Sequence, residues 1–99
     1  MSTPEGEIVK AVLEYLAIRN ILAWRNNSGR KGGVQFGKIG SADIIGILPD
    51  GRFLAIECKA PGGKATADQL TFLAEIESCG GRGFVARSIE DVERELFWK

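Results

Sequence analysis

The sequence predicts an α/β domain, a mixed sheet flanked by helices in the order α-β-β-β-α-β-α. Three observations predict it. Apolar residues recur at helical spacing directly after Thr3-Pro4. Two apolar runs, residues 42–48 and 52–59, flank the turn sequence Pro49-Asp50-Gly51. A strand, a helix of about a dozen residues and another strand then follow one another, the succession of a parallel crossover.

Thr3 has the chemistry of an N-cap and Pro4 that of a first helical residue, and Ile8, Val9, Val12, Tyr15 and Leu16 mark the buried stripe of a helix ending near Asn20. Residues 21–25 form a short β-prone run. From Asn26 to Gly33, extending as far as Gly40, the chain reads as a polar, basic, glycine-rich loop. The hairpin over residues 42–59 comes next. Ala60-Pro61-Gly62-Gly63-Lys64 breaks the strand, and Thr66-Ala67-Asp68-Gln69 has the form of a capping box opening a helix with Leu70, Leu73 and Ile76 on one face. Gly80-Gly81 stops that helix. Residues 83–87 form a further strand, and Ser88 caps a last helix containing Val92 and Leu96. No internal repeat or linker divides the 99 residues, which read as a single domain over 1–99.

Composition narrows the function. No apolar run approaches the roughly 20 residues that span a bilayer, so no membrane partner is expected. The first residues lack the basic and apolar regions of a secretory signal, which predicts a cytoplasmic protein. Two cysteines, Cys58 and Cys79, and no histidine exclude the usual Cys/His zinc sites and histidine-based catalysis; the thiols read as reduced. Thirteen basic and thirteen acidic residues cancel, which by itself argues against a nucleic-acid partner. Their distribution argues for one: residues 15–42 carry Arg19, Arg25, Arg30, Lys31 and Lys38 and no acid, whereas Glu75, Glu77, Glu90, Asp91, Glu93 and Glu95 crowd the C-terminal part.

The hairpin carries the chemistry. Alternation places Phe53, Ala55, Glu57 and Lys59 on one face of the returning strand and Leu54, Ile56 and Cys58 on the other. If Leu48 and Phe53 close the turn, Asp43 stands across from residues 57 to 58. Two carboxylates and an ammonium therefore converge at one end of one hairpin. Two like charges brought together call for a cation, and all-oxygen sites suit hard divalent ions such as Mg²⁺. A lysine beside them can orient the attacking water and offset charge on a phosphorane, the chemistry of metal-assisted phosphodiester hydrolysis. The plainer alternative makes Asp43 a turn cap and Glu57–Lys59 an exposed ion pair worth under about 1 kcal/mol. Position decides against it, because both acids interrupt apolar strands, where charge is seldom left unused. Trp24 and Trp98 read as core or dimer packing, and Cys58 as a buried side chain pointing away from the acids.

Asp43, thirteen intervening residues and Glu57-Cys58-Lys59 resemble the motif of the PD-(D/E)xK nuclease superfamily. More narrowly, Gly40-Ser41-Ala42-Asp43-Ile44-Ile45-Gly46, Glu57-x-Lys59, Gln69 and residues 86–92 resemble the VRR-NUC (virus-type replication-repair nuclease) family, from about Glu7 to Val92. Ala42 stands where the superfamily motif has proline, a position without chemistry. The resemblance implies a restriction-endonuclease-like core and a catalytic set of Glu7, Asp43, Glu57, Lys59 and Gln69. It implies Mg²⁺ or Mn²⁺ held by Asp43, Glu57, the Cys58 carbonyl and a first-helix glutamate. Glu7 is the choice for that glutamate, with Glu14 and Glu5 as alternatives. Arg25, Asn26, Arg30, Lys31, Lys38, Ser41 and Lys64 are the expected DNA contacts. Small members of the family resemble phage and bacterial enzymes that cut branched DNA, four-way junctions in particular, as homodimers. A flap or nicking nuclease, or a DNA-binding module that no longer cuts, are the other functions open to such a domain.

Overall fold

The structure, a computed structural model, describes residues 3–27, 29–38 and 40–98, without the side chains of 30, 31, 35 and 36. Helix α1 (Pro4–Ile18) is followed by β1 (Leu22–Arg25), β2 (Gly29–Lys31), β3 (Val34–Phe36), β4 (Ile44–Ile47), β5 (Phe53–Cys58), α2 (Ala67–Ser78), β6 (Arg82–Ala86) and α3 (Ile89–Phe97). Four strands form the central sheet in the order β1-β4-β5-β6. The first two pairings are antiparallel and β5–β6 is parallel, with α2 as the crossover. The elements built on this sheet thus follow the expected order.

The loop expected between residues 26 and 40 contains a small two-stranded ribbon, β2–β3, with Lys31 opposite Val34. Gly32 and Gly33 both have positive φ, 57° and 81°. A two-residue turn with both centres in the left-handed region matches the twist of a hairpin, and two glycines adopt it without steric cost. The glycines that read as an irregular loop on sequence therefore encode a turn.

Local chemistry sets the helix starts. The Thr3 hydroxyl accepts from the Gly6 N–H at 2.9 Å. Thr66 and Gln69 close their capping box with bonds of 2.8 and 3.1 Å, and Ser88 accepts from the Asp91 N–H. Helix α1 ends at Ile18, two residues earlier than its periodicity suggests, and Asn20 takes a φ of 60° to turn the chain into β1.

The two faces of the sheet are covered differently. Val9, Val12 and Leu16 of α1 and Val92 of α3 pack with Ile44, Leu54, Ile56, Cys58, Phe84 and Ala86. On the opposite face Leu73, Phe72 and Ile76 of α2 pack with Ala42, Ile45, Ala55 and Val85. Leu70, expected on that face of α2, is exposed instead. Leu54, Ile56 and Cys58 thus belong to the α1 side and Ala55 to the α2 side, the alternation of a strand buried on both faces. Glu57 follows Ala55 in that alternation and is nevertheless buried.

Trp24 is 46% exposed and Trp98 61% exposed, so neither indole fills the core of the single chain. Trp24 lies on the edge strand β1 and Trp98 beyond the end of α3, where no layer covers them. Among the described residues no helix is long and apolar enough to cross a membrane.

Candidate active site

The site lies where β4 begins and β5 ends. Ile44 pairs with Ile56 in the last register of that ladder, so Asp43, one residue earlier, stands opposite Glu57. Its Oδ2 accepts from the Cys58 N–H at 2.9 Å. Its backbone carbonyl accepts from the Asn26 N–H at 2.7 Å, extending the β1–β4 ladder one step beyond the regular strands. An extended residue sends its N–H and C=O to the same side of the strand, so the Cys58 carbonyl also faces the Asp43 side. Backbone and carboxylate oxygens are therefore gathered at one point by strand pairing alone.

Glu57 is 2% exposed, and its Oε2 lies 3.3 Å from the Lys59 Nζ. Its other oxygen, Oε1, is buried with no hydrogen-bond partner among the described residues. Burial first, and the charge of Asp43 second, push the Glu57 carboxyl up to about 7 against the opposing pull of Lys59. Burial, then the charges of Asp43 and Glu57, push the Cys58 thiol up to about 12. A thiol so far from ionisation is neither a nucleophile nor a thiolate ligand, and its side chain packs into the apolar core, away from the acids.

Lys59 is 9% exposed and sits just past β5, where its N–H donates to the Ala86 carbonyl at 3.1 Å. Its ammonium lies 3.9 Å from Glu5 Oε1 on α1. Glu7, the first-helix glutamate favoured by the sequence, is exposed, and no hydrogen bond or ion pair to its side chain occurs among the described residues. Glu14 lines a cleft of about 610 Å³ with Lys10, Leu13 and Arg25. Of the three glutamates, Glu5 is the one that the structure brings to the lysine. Among the described residues no three acidic or thiol side chains form a ready metal cage.

The sequence model of the VRR-NUC domain matches residues 9–90. The chain belongs to the VRR-NUC family. A solved structure described as a VRR_NUC domain is similar with a TM-score of 0.71 over 94% of this chain and 94% of its own, at 24% identity, which speaks for a shared fold. No curated protein matches the chain. As a VRR-NUC domain the chain is a nuclease of the PD-(D/E)xK type, with DNA as its partner.

The remaining residues singled out in the VRR-NUC sequence fall into three groups. Gln69 lies in the first turn of α2 with its Oε1 accepting from the Thr66 N–H, so its carbonyl serves the capping box and its amide nitrogen remains for other contacts. Arg25, Lys38 and Lys64 are exposed around the site end of the sheet, while Arg30 and Lys31 lie on β2 with side chains outside those described. Asn26 and Ser41 are engaged with each other: Asn26 Nδ2 donates to Ser41 Oγ at 2.8 Å and to the Ala42 carbonyl at 3.0 Å. Arg19, counted in the basic stretch, stacks over the Phe97 ring 3.6 Å from its centroid and is committed to packing.

Sequence reasoning missed Arg87. Its Nη1 donates to the Ala60 carbonyl at 3.1 Å and to that of Gly63 at 2.7 Å, tying down the segment that leaves Lys59. A signal existed, because the parallel crossover places residue 87 beside residue 59 once the Cys58–Ala86 pairing is known.

Proposed function

We propose that this chain is a metal-dependent DNA endonuclease that acts as a homodimer on branched substrates, four-way junctions above all. The observation that carries the catalytic part is Glu57 Oε1, a carboxylate oxygen buried without a partner among the described residues, in a residue whose charge already opposes that of Asp43. A buried, unpartnered carboxylate oxygen is costly unless it takes up a proton or a cation joins it, and a divalent cation is the remedy that also suits Asp43 beside it. Asp43, Glu57 and the Cys58 carbonyl offer hard oxygen donors, the set that Mg²⁺ or Mn²⁺ takes together with water and phosphate oxygens. Glu5 completes the set better than Glu7, by its approach to Lys59.

A bound divalent ion supplies Lewis-acid stabilisation of the charge that gathers on the scissile phosphate. The protein's own groups do the rest. The Cys58 N–H fixes Asp43 Oδ2 and so aims the other carboxylate oxygen. Glu57 holds the Lys59 ammonium in place, and its burial keeps bulk water from screening the pair. The Lys59 Nζ is free to hydrogen-bond a water or a phosphate oxygen with its remaining protons, which orients the nucleophile and offsets negative charge as it develops. Arg25, Lys38 and Lys64, with Arg30 and Lys31 of the ribbon, are the cations for the flanking DNA phosphates.

The homodimer has support on the sheet. Leu22, Ile47 and Phe53 pair in one row across β1, β4 and β5, with Trp24 two residues along, and all four are exposed on the part of the sheet that α2 leaves bare. A contiguous apolar row of this kind is the usual mark of an interaction face. Two-fold symmetry in the protein would match the pseudo-two-fold of a junction that needs two cuts.

The deciding experiment is cleavage of labelled four-way junction, flap and linear duplex with Mg²⁺ or Mn²⁺, beside Asp43→Asn and Lys59→Ala. Paired symmetric nicks in the junction, lost in both variants, are expected. Cutting of another substrate would retain the nuclease and change its role; binding without metal-dependent cutting would make the domain a non-catalytic DNA-binding module.

A further inference from the structure

Asp43 has to leave the glycine-rich segment at one fixed point for its carboxylate to meet Glu57. Two contacts define that point. Gly40, at φ 83°, lies against α2 so closely that an added Cβ would stand 3.0 Å from the Asp68 Cβ and 3.3 Å from its backbone. On the other side stands Asn26, one residue past β1, which reaches three successive residues: Ser41 and Ala42 through its side chain, and Asp43 through its backbone N–H. The Ala42 carbonyl can only accept, so the NH₂ end of the Asn26 amide faces this segment.

We infer that Asn26 is a positioning residue for Asp43, acting through the Ser41 hydroxyl and the Ala42 carbonyl and not through contact with DNA. This assignment rests on the proposed metal-dependent nuclease and deepens it. The Asn26 donor is spent inside the protein, where it holds the lead-in to Asp43 while the Cys58 N–H holds the carboxylate itself. Groups that orient ligands from behind shift metal affinity by about 10- to 100-fold when removed, because the ligand loses its preset direction and not its charge.

The test is Asn26→Asp, which keeps shape and replaces the donor by an acceptor facing the Ala42 carbonyl. Mn²⁺ affinity is measured on the protein without DNA, together with kcat, KM for junction DNA and the melting temperature. The expected result is Mn²⁺ binding weakened about 10-fold or more and kcat lowered with KM for DNA little changed, while Asn26→Gln, which keeps the amide on a longer arm, recovers part of both. Ser41→Ala removes one acceptor and should move Mn²⁺ affinity in the same direction by less; it decides the matter if Asn26→Asp fails to fold. A raised KM with unchanged Mn²⁺ affinity would overturn the inference in favour of a DNA contact. A lowered melting temperature with Mn²⁺ affinity intact would overturn it in favour of a merely structural bond. A wild type that binds and cuts, matched by Asn26→Asp and Ser41→Ala, would overturn this inference alone; a wild type with no Mn²⁺ uptake dependent on Asp43 and Glu57 would remove the metal-dependent nuclease and this inference with it.

Discussion

Glu57, near the end of β5, and Lys59, just beyond the strand, lie two residues apart with 3.3 Å between Oε2 and Nζ, yet the second oxygen of the same glutamate is buried without a partner among the described residues. The pair is thus only half satisfied among the described residues. A structural ion pair would use both oxygens or expose the spare one; the unsatisfied half is what the proposed metal site rests on.

The first expectation concerns pH in the metal-free protein. The Glu57 carboxyl is raised from an ordinary 4.5 to about 7 in the fold. Between those values the folded state keeps a proton that the unfolded state has released, so stability is fully present below pH 4.5 and is lost as pH rises through 7. Urea denaturation at pH 5 and pH 8 should show this fall in wild type and much less of it in Glu57→Gln. Added Mn²⁺ should restore stability at pH 8 in wild type only. Equal pH dependence in wild type and variant would contradict the burial of an unpartnered carboxylate.

Lys59→Ala should lower single-turnover cleavage by about 100-fold or more, since the proposed mechanism has this ammonium offset the developing phosphate charge. Lys59→Arg should recover little. The planar guanidinium does not reproduce a compact ammonium wedged between Glu57 and Glu5. Near-wild-type cutting by the arginine variant would mean that charge alone suffices at this position.

Glu5 and Glu7 separate the two possible contributions of the first helix. Glu5→Gln should weaken Mn²⁺ binding several-fold, and Glu7→Gln, altering an exposed side chain, should leave it within about 2-fold, the usual tolerance of surface substitutions. Calorimetric titration of both variants distinguishes them. The reverse ranking would place Glu7 at the site and require α1 to shift when DNA or metal binds.

Gly40→Ala should destabilise the fold by about 1–3 kcal/mol, since the residue combines a φ of 83° with a Cβ that would press on Asp68. Because the strain falls three residues before Asp43, cleavage should drop more than stability explains. Thermal unfolding and cleavage rates measured together check this. A destabilised variant whose loss of cleavage exceeds its unfolded fraction is the expected outcome; wild-type stability and cleavage would contradict it.

Much of this was legible because it is local. Thr3-Pro4, Thr66 to Gln69 and Ser88 announce helix starts through side chains that reach only three residues along. The face shared by Glu57 and Lys59 follows from the period of two in a strand, and the place of Asp43 opposite Glu57 follows from the length of one turn. The glycine pair at 32 and 33 was the misread local signal: it supplied hairpin-turn geometry where a loop was expected, and so hid the β2–β3 ribbon.

By itself the sequence determined the element order on the central sheet, the pairing of Asp43 with the end of β5 and the family signature, since each depends on backbone periodicity and short-range chemistry. Only the tertiary structure decided which helix glutamate stands at Lys59, that Asn26 turns its amide onto residues 41 and 42, that Arg19 is spent on Phe97 and that Arg87 holds the segment after Lys59. The physical reason is the same in each case. A helix presents Glu5, Glu7 and Glu14 within a few turns of one another, and which side chain meets a partner is set by how α1 is rotated and placed on the sheet, a property of the packed core and of no single segment.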